Sequence, residues 1–571
     1  MRTKKEKYLK NKIVIIALLI TITLIACIPL FISGIEGHFG QDLAFHLNRI
    51  EGLVTELKAG HFPVKMESRW MDGYGYPVAI YYGDLFLYIP AMLRLMGIGV
   101  VSAYKFYIVL ITFVTAVFTY ICIKKMVRRL DIALICSLIY TASSYRIVNV
   151  YIRGAVGEYS AMMFFPLIAL AMYIIYKSDK DIPLRKQFEN ATLLMIGVTG
   201  LVNTHMLSTE IVGIILIVFC IINFKKTFTK SVLITYVIAG VEIVIVNLFY
   251  IVPFVDYFIS ENVNINNVVG NARHIQESGL NWWEYFAFFK MPFANIEVAG
   301  DDRLLLTPGI VCILVLLAGI IFWIKGKTNK EMKIEIVSVM VLLFITSCYF
   351  PWNFIAQSTK LGDFLAQVQF PWRYMSIIVM ILTILAARIL ERIESKKLLS
   401  VTYVIVICLT LVGMIWFTYE YNKYGELKEY ETGEDVDSSD MGFIEYLRSG
   451  TVREDFLHMP ISDDGIEVKE ISHSGTDRTY EVNATADGAV TLPVVNYKGY
   501  QLESDDGRID IYDGENNLIA FDLKKGFSGK IKQSFVQPKL WVIAEIISLL
   551  GLLFIIAILI LNKKNNMEER K

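Results

Sequence analysis

Apolar segments long enough to cross a lipid bilayer recur along the whole chain. Of its 571 residues, 55% are hydrophobic, and a helix needs about 20 apolar residues to span the hydrocarbon core. We therefore predict a polytopic α-helical membrane protein with about twelve transmembrane helices. The predicted spans cover residues 13–33, 104–123, 131–145, 159–176, 191–206, 208–224, 231–253, 304–324, 334–350, 373–390, 398–418 and 540–562.

Basic clusters between these segments indicate the topology. Cytoplasmic loops of membrane proteins are enriched in Lys and Arg, so we place all of these clusters inside. They fit one alternating topology only if residues 79–98 re-enter or lie flat instead of crossing. Both termini are then cytoplasmic, and the polar loops at 34–103, 146–158, 254–303 and 351–373 all face outward. The basic clusters lie at residues 124–129, 177–186, 225–226, 325–333 and 391–397 and from residue 563 onward.

The basic amino terminus, residues 1–12, precedes the first apolar segment and predicts an uncleaved signal anchor. A rival interpretation is a lipoprotein cleavage site that leaves a lipidated Cys27, although the apolar residues after it disfavour cleavage. Basic and acidic residues are equal at 55 each, so no overall charge favours nucleic acid as a partner. All seven cysteines lie in apolar segments, which argues against disulfides and paired-cysteine zinc sites in the polar regions.

Residues 419–537 have a different pattern from the rest of the chain. An acidic, turn-rich stretch is followed by short alternating segments separated by Gly, Asp and Asn, which predicts an extracytoplasmic β-sandwich or jelly-roll domain. The Asp/Gly groups at 505–507 and 513–514 are better hairpin turns than metal loops. We therefore predict a transmembrane domain at 1–418 with its outer catalytic loop at 34–103, the β-rich domain at 419–537, and a final helix with a basic cytoplasmic tail at 538–571.

The stretch at 40–63 is too charged to enter a bilayer and predicts an amphipathic helix in the outer membrane interface. At helical spacing, Asp42, His46 and Arg49 share one side. Taken alone, Asp42 is more simply a solvated polar residue, and its position before an interfacial helix adds the alternatives of a general base or a ligand for a divalent cation. His46 could support the acid or be structural. Arg49 could bind a phosphate or pair with Glu56.

Other polar residues lie at the outward ends of the predicted spans. Arg153 and Glu158 suit a substrate cavity, and a simple ion pair closing a helix end is an equal alternative. Arg373 follows Pro371 and Trp372, so a snorkelling arginine in an aromatic belt competes with a binding role. His205 is similarly ambiguous, and residues 301–303 (Asp-Asp-Arg) could be a cation site or a charged collar. The sequence lacks a GxxxxGK[ST] motif for ATP-driven transport and has no GxGxxG after a strand, HExxH or GxSxG.

Several short motifs, in this order, resemble the bacterial YfhO-like membrane proteins, whose first part is also named a "6-pyruvoyl-tetrahydropterin synthase-related" membrane domain. The resemblance covers nearly the whole chain. No cluster of three histidines supports the pterin label. The motifs are GQDLAFHLNRIEGL, GYGYPVAIYYGDLFLYIPAMLRLMGI, YRIVNVYIRGAVGEYSAMMFFPLIALAMY, NTHMLST, QFPWRYM, LPVVNYKGYQLESDDG and AFDLKKGFSGKI.

These proteins are similar to the GT-C glycosyltransferases, which take a sugar from a polyprenyl-phosphate donor outside the membrane. The resemblance places Asp42 where that superfamily has an essential acid in its first outer loop. Many members have paired acids there, whereas the neighbour here is Gln41. This difference favours a metal-free base, so we predict no metal ligands and no certain cofactor, with a divalent cation as the open alternative.

The resemblance implies a multi-pass enzyme of the bacterial cytoplasmic membrane that transfers a sugar to a glycolipid, teichoic acid or other envelope glycan. In this hypothesis Asp42 and His46 are catalytic, and membrane lipids surround the protein. Two alternatives remain: a lipid-linked sugar flippase or exporter, and a non-catalytic scaffold for envelope assembly. The predicted substrate-binding residues are Arg49, Arg153, Glu158, His205 and Arg373.

Overall fold

The computed structural model describes residues 4–32, 42–179, 181–266, 275–288, 306–424, 444–456 and 459–568. The chain divides into two compact units. The first comprises Met1–Leu43, Lys105–Ile243 and Asn271–Glu429, and the second comprises Ala44–Tyr104, Val244–Gly270 and Tyr430–Lys571. The predicted domains at 1–418, 419–537 and 538–571 stay a prediction. The predicted cation site at 301–303 lies outside the described residues.

Helices form most of the described chain. Helices α1 to α10 are Lys4–Ala26, Ile28–Ile32, Leu43–Lys58, Val78–Tyr81, Tyr88–Leu95, Val100–Val127, Leu130–Thr141, Ser144–Tyr151, Val156–Ala161 and Phe165–Lys177. Helices α11 to α21 are Leu184–Val202, Met206–Ile222, Phe224–Thr227, Lys230–Ser260, Ile310–Ile324, Lys330–Ile345, Trp352–Ser358, Lys360–Ala366, Met375–Glu391, Lys396–Tyr424 and Lys539–Glu568.

The prediction of a polytopic helical protein is confirmed, but twelve crossings are not. Every predicted span contains helix. Within the described residues, six helical segments are long and apolar enough to cross a membrane, or seven if one bent pair is a single span. Three more apolar helices are shorter, Lys12–Ala26, Met206–Ile222 and Ile310–Ile324. Some predicted spans are therefore helices whose length or composition does not by itself establish a crossing.

Two helix breaks matter for the candidate sites. The segment 79–98 contains only the short helices α4 and α5, of four and eight residues, and eight helical residues cover about 12 Å, far less than a bilayer core. Neither helix is long enough to cross alone, and the re-entrant or flat arrangement of this segment stays a prediction. By contrast, the sequence did not predict the 45° bend between α7 and α8. That break contains Ala142 and Ser143, between the last residue of α7 and the first of α8.

In the first unit, α19 packs against α7, α15 and α16 and also contacts α8. Its buried side chains are mainly apolar, including Ile378, Val379 and Leu382. A 3-10 turn at Pro371–Tyr374 leads directly into this helix. The packing of α19 thereby places Arg373 beside the segment that carries α8 and α9.

In the second unit, two antiparallel sheets confirm the predicted β-rich domain before the last helix. The strand orders are β1-β4-β8-β7 and β2-β3-β9-β5-β6. Alternate residues of β3 are buried, which is the pattern of strands with one face in a core. The residues at 505–506 connect β5 to β6 as a two-residue hairpin, with Ser504 opposite Gly507. Strands β1 to β9 are Ile461–Ser462, Ile466–Ser474, Asp477–Ala484, Gly488–Val495, Tyr500–Ser504, Gly507–Ile509, Tyr512–Asp513, Leu518–Leu523 and Ser528–Phe535.

Candidate functional site

Glu158 lies at the centre of a buried group of charged and polar side chains in the first unit. It is on the short helix α9 and is 1% exposed. Tyr145 donates a hydrogen bond to its Oε1 atom, and Asn149 Nδ2 donates to the same oxygen at 3.3 Å. Arg153 donates to its Oε2 atom at 2.6 Å. Burial of a carboxylate is unfavourable unless it is paired and hydrogen-bonded, and this carboxylate has both kinds of partner.

Two arginines from distant parts of the sequence converge on Glu158. Arg153 is 4% exposed and Arg373 is 6% exposed, and the Nε atom of Arg373 lies 3.6 Å from Glu158 Oε2. Both guanidinium groups also lie over the Trp372 ring, at 4.5 Å and 6.0 Å from its centroid. Arg373 is therefore a buried residue of this cluster, and it does not snorkel to a surface. Guanidinium groups are hydrogen-bond donors of the kind that bind anionic ligands, and two of them meet at this carboxylate.

Asp42 belongs to the same unit and immediately precedes α3. Its backbone N–H donates to the carbonyl of Arg153 at 2.8 Å. Among the described residues, its carboxylate takes part in no side-chain hydrogen bond or ion pair. Desolvation raises the pKa of Asp42 above its ordinary value, against the opposing effects of Arg153 and Arg373. A carboxylate with a raised pKa and no hydrogen bond to hold its charge is suited to accept a proton.

His205 caps α12 and is buried. Its Nδ1 atom accepts a hydrogen bond from the backbone N–H of Ser208 at 3.2 Å and lies 2.8 Å from the Ser208 hydroxyl oxygen. A ring nitrogen that accepts from an N–H is unprotonated, so the ring proton of neutral His205 is on Nε2. Its charge environment includes Arg373, Glu158 and Arg153, so His205 is close enough to this cluster for their charges to act on its ring.

His46 and Arg49 lie on α3 within the second unit. Arg49 donates to the carbonyls of Tyr82 and Gly83 at 3.1 and 3.0 Å, and its guanidinium lies 4.2 Å from the Tyr82 ring centroid. The nearest imidazole nitrogen of His46 is 3.5 Å from Arg49 Nη1. Arg49 thus fixes the turn before α5.

The predicted alternative of an Arg49–Glu56 pair is wrong, because Glu56 has other partners. Its Oε1 atom accepts hydrogen bonds from the backbone N–H and hydroxyl of Ser68 at 2.9 and 2.6 Å. Its Oε2 atom lies 2.7 Å from His61 Nδ1 and accepts from the Thr476 N–H at 3.1 Å.

Several residues at the Glu158 cluster were missed by sequence reasoning. Tyr145 and Asn149 precede Arg153 at four-residue intervals, a spacing that puts helical residues on one face. That spacing was the available signal. Glu210, on α12, is close enough to Arg373 for their charges to interact, and no local pattern marks it. Among the described residues, no group of three or more His, Cys, Asp or Glu side chains is arranged to hold a metal ion.

The chain belongs to the family of membrane proteins described as the "6-pyruvoyl-tetrahydropterin synthase related domain", which matches residues 79–421. This match includes Arg153, Glu158, His205 and Arg373, and it begins after Asp42. The family assignment confirms the resemblance predicted from the sequence motifs and identifies a membrane protein.

The chain also resembles one individual protein and one solved structure, both at low sequence identity. A protein of Lactococcus lactis subsp. cremoris (strain MG1363) with the name "Uncharacterized protein" is 20% identical over 208 residues, which are 36% of this chain and 32% of that relative. The crystal structure of the Archaeoglobus fulgidus oligosaccharyltransferase matches with a TM-score of 0.41 and 11% identity. That match covers 73% of this chain and 56% of the other. A TM-score this low does not establish a common fold.

Proposed function

We propose that this protein is a membrane glycosyltransferase of the GT-C type. It transfers a sugar from a polyprenyl-phosphate donor to a glycolipid, teichoic acid or other envelope glycan on the outer face of the bacterial cytoplasmic membrane. Both termini lie in the cytoplasm and the β-domain lies outside, where it would recruit a polymeric acceptor. The observation that carries the proposal is the position of the Asp42 carboxylate near two buried arginines that share Glu158, where it makes no side-chain hydrogen bond to another described residue.

In the proposed reaction, Asp42 takes the proton from an acceptor hydroxyl, and His46 supports the base. The acceptor oxygen forms a bond to the anomeric carbon of the donor sugar. The bond from that carbon to the phosphate oxygen breaks at the same time, and its electron pair leaves with the polyprenyl phosphate. Arg373 and Arg153 then face the anionic leaving group, since guanidinium groups bind phosphate in a bidentate manner. Attack opposite the leaving group inverts the anomeric configuration.

His205 and Glu158 have separate roles in this proposal. Glu158 orients the guanidinium groups of Arg153 and Arg373. The phosphate of the donor binds to the N–H groups of these two arginines that do not face Glu158. The Nε2–H group of His205 supplies a neutral hydrogen bond to the sugar or phosphate. Arg49 is the weaker of the proposed substrate contacts, because its guanidinium is engaged with the turn at Tyr82 and Gly83.

The most direct test of the reaction class compares envelope polymers from cells with and without the protein. Polymers are separated by type, hydrolysed and analysed for sugar composition. The proposal predicts that one polymer or glycolipid class loses one sugar substituent and that expression of the wild-type protein restores it. Unchanged composition of every class would contradict glycosyl transfer and favour the scaffold alternative, which predicts altered assembly instead. Membranes that retain transfer in excess EDTA would support the metal-free base, and dependence on added Mg²⁺ or Mn²⁺ would contradict it.

A further inference from the structure

The chain immediately after α3 joins the end of that helix to the β-rich domain within the second unit. Helix α3 ends at Lys58, and the N–H of His61 donates to the carbonyl of Glu56 at 2.9 Å. A hydrogen bond back to the last turn is typical of the end of a helix. It holds the His61 ring against the Glu56 side chain, with Nδ1 2.7 Å from Oε2. The end of α3 therefore sets the position of this imidazole.

The other side of the contact is the turn between β2 and β3. This turn has two residues, and the second of them is Thr476. The Thr476 N–H donates to Glu56 Oε2 at 3.1 Å, and the Thr476 hydroxyl oxygen lies 3.5 Å from His61 Nδ1. Asp477 Oδ1 lies 3.8 Å from His61 Nε2. The imidazole thus lies between a carboxylate on α3 and another carboxylate at the start of β3.

The hydrogen bonds of Glu56 indicate which ring nitrogen of His61 carries a hydrogen. Both carboxylate oxygens of Glu56 are acceptors, from the N–H and hydroxyl of Ser68 and from the N–H of Thr476. The close contact between Glu56 Oε2 and His61 Nδ1 therefore needs a hydrogen on the ring nitrogen. In neutral His61 the lone pair of Nε2 then faces Asp477. The imidazolium form instead presents one N–H to each carboxylate.

The charges around His61 favour this imidazolium form. Among the described residues, the charged groups that act on His61 are Glu56 and Asp477. The hydrogen bond with Glu56 raises the pKa of His61, against the opposing effect of desolvation. The His61 side chain is 28% exposed, so solvent can exchange protons with the ring. A histidine ordinarily titrates near pH 6.5, and His61 therefore loses its proton at a higher pH.

Neighbouring strands supply further charged groups to this region. Lys532 Nζ, on β9, lies 3.5 Å from Asp477 Oδ2. His473, on β2, has its Nδ1 atom 3.7 Å from Glu470 Oε1. The charge of Glu56 also acts on His473. Asp477 thus has a second cationic partner, and a second histidine lies on the same hairpin.

Another contact between the β-rich domain and the loop after α3 does not depend on histidine. Arg478, on β3, donates to the carbonyl of Gly73. A guanidinium keeps its charge over the pH range in which histidine titrates. This contact holds β3 beside the loop, so a change at His61 affects the β2–β3 turn without detaching the domain.

We propose that His61 is a pH switch that controls the contact between the end of α3 and the β2–β3 turn. Protonated His61 bridges Glu56 and Asp477 and keeps the turn closed on the helix. Loss of the Nε2 proton leaves a lone pair facing Asp477, and the turn opens. The competing interpretation is a fixed polar contact that is the same at every pH. The inference does not depend on glycosyl transfer.

The raised pKa of His61 fixes the direction of the pH dependence. Between about pH 6.5, where a free histidine titrates, and the higher pKa of His61, the closed contact binds more protons than the open one. The contribution of His61 to the closed contact is therefore complete below about pH 6.5. It is lost as the pH rises through the pKa of His61 in the folded protein.

Hydrogen exchange of the Thr476 amide in the purified full-length protein tests the switch, because this N–H donates to Glu56 across the contact. Rates are measured in wild type and His61→Gln at the same pH, from about pH 5.5 to 8.5, so that their ratio cancels the intrinsic rate. At the lowest pH, wild type should exchange about tenfold more slowly, the factor expected for one charge-assisted hydrogen bond. The ratio should approach one as the pH rises.

His473→Gln is the matched control, because it makes the same substitution on the same hairpin. Desolvation lowers the pKa of His473, so the folded protein binds its proton less tightly than the unfolded chain does. The protection of Thr476 in wild type relative to this variant should stay constant or increase as the pH rises. Asp477→Asn keeps the contact of His61 with Glu56 and removes the charge that faces Nε2. It should therefore move the loss of protection to a lower pH.

A ratio between wild type and His61→Gln that is constant or increases with pH would overturn the inference and leave a fixed polar contact. An unchanged transition in Asp477→Asn would also overturn it. Wild type alone gives a further test if a variant does not accumulate. The Thr476 exchange rate should then rise with pH more steeply than the intrinsic base-catalysed rate, and a rate that follows the intrinsic rate alone would contradict the switch.

Discussion

Asp42 and Glu56 lie at opposite ends of the stretch that contains α3, and their carboxylates have contrasting surroundings. Glu56 is fully buried, yet Ser68, His61 and Thr476 supply four close polar contacts to it. Asp42 is partly exposed and has no side-chain hydrogen bond among the described residues, and desolvation raises its pKa. Satisfied buried acids stabilise a fold, whereas an unsatisfied acid with a perturbed pKa is typical of a functional site. The comparison therefore assigns a structural role to Glu56 and supports the proposed chemical role of Asp42.

The largest expected effect on stability is at Glu158. Glu158→Gln removes the carboxylate that contacts both Arg153 and Arg373. Breaking a buried ion pair from one side costs about 3–5 kcal/mol, so the first unit should be strongly destabilised. Thermal and denaturant unfolding measure this change, with the exposed Glu394→Gln as the matched control. A loss no larger than that of the control would show that the arginines do not need Glu158.

Glu56→Ala should have the next largest effect. It leaves the N–H groups of Ser68 and Thr476 without their buried acceptor, and an unsatisfied buried donor costs about 1–3 kcal/mol. The exposed Glu481→Gln, on β3, is the control within the same unit. Hydrogen exchange should increase at Ser68 and Thr476 in Glu56→Ala. Unchanged exchange at both amides would contradict the structural role of Glu56.

A smaller destabilisation is expected from Gly475→Ala, in the turn between β2 and β3. Gly475 has a φ of +60°, and a Cβ atom there would lie 2.6 Å from Glu56 Oε2 and 2.8 Å from the Ala59 Cβ atom. The backbone strain of such a substitution is about 1 kcal/mol, and the close approach to Glu56 adds to it. Gly60→Ala, in the same unit, has a positive φ of +89° without a close neighbour, so a larger loss of unfolding free energy in Gly475→Ala reports the contact with Glu56. Equal losses of unfolding free energy in the two variants would show that the contact with Glu56 does not contribute to the destabilisation.

The smallest effect on stability is expected at Asp42, and its sign is opposite. An unfolded aspartate ionises near pH 3.9, and the pKa of folded Asp42 is higher. Between these pKa values the folded state binds more protons than the unfolded state, so the Asp42 contribution to stability falls as pH rises. Asp42→Asn should therefore match wild type at low pH and equal or exceed its stability at neutral pH. Lower stability of the variant at neutral pH would indicate that Asp42 is a structural acid like Glu56.

Sequence patterns predicted the parts of the fold that depend on local composition. Apolar segments located the helices, and alternation with Asp/Gly turns located the β-rich domain and its 505–507 hairpin. The bend before α8 was missed because it contains no proline. Its sequence, Ala142-Ser143-Ser144, offers only small and hydroxyl side chains, which compete weakly with helical hydrogen bonds. Contacts such as Glu56 with Thr476 join residues far apart in the chain, and no local pattern encodes them.

The candidate site was predictable only where its residues are close in the sequence. Arg153 and Glu158 are five residues apart, so their proximity follows from a short turn between α8 and α9. The contact between Arg373 and Glu158 depends on the packing of α19. Charge counting could predict only that Arg373 and Glu158 lie on the same side of the membrane. The predicted grouping of Asp42 with His46 and Arg49 rested on helical spacing. In the structure, Asp42 belongs to the first compact unit and the other two belong to the second.

The central claim is that Asp42 is the base of a sugar transfer, and the Asp42→Asn variant tests it most directly. The variant is expressed in cells that lack the native protein, and the sugar content of the affected envelope polymer is measured per molecule of membrane-inserted protein. Asp464→Asn, at an exposed turn of the β-domain, is the control. We predict a loss of about 100-fold or more for Asp42→Asn, the usual contribution of a general base, and wild-type transfer for the control. Wild-type transfer by Asp42→Asn would contradict the claim and favour a flippase or exporter, which needs no base.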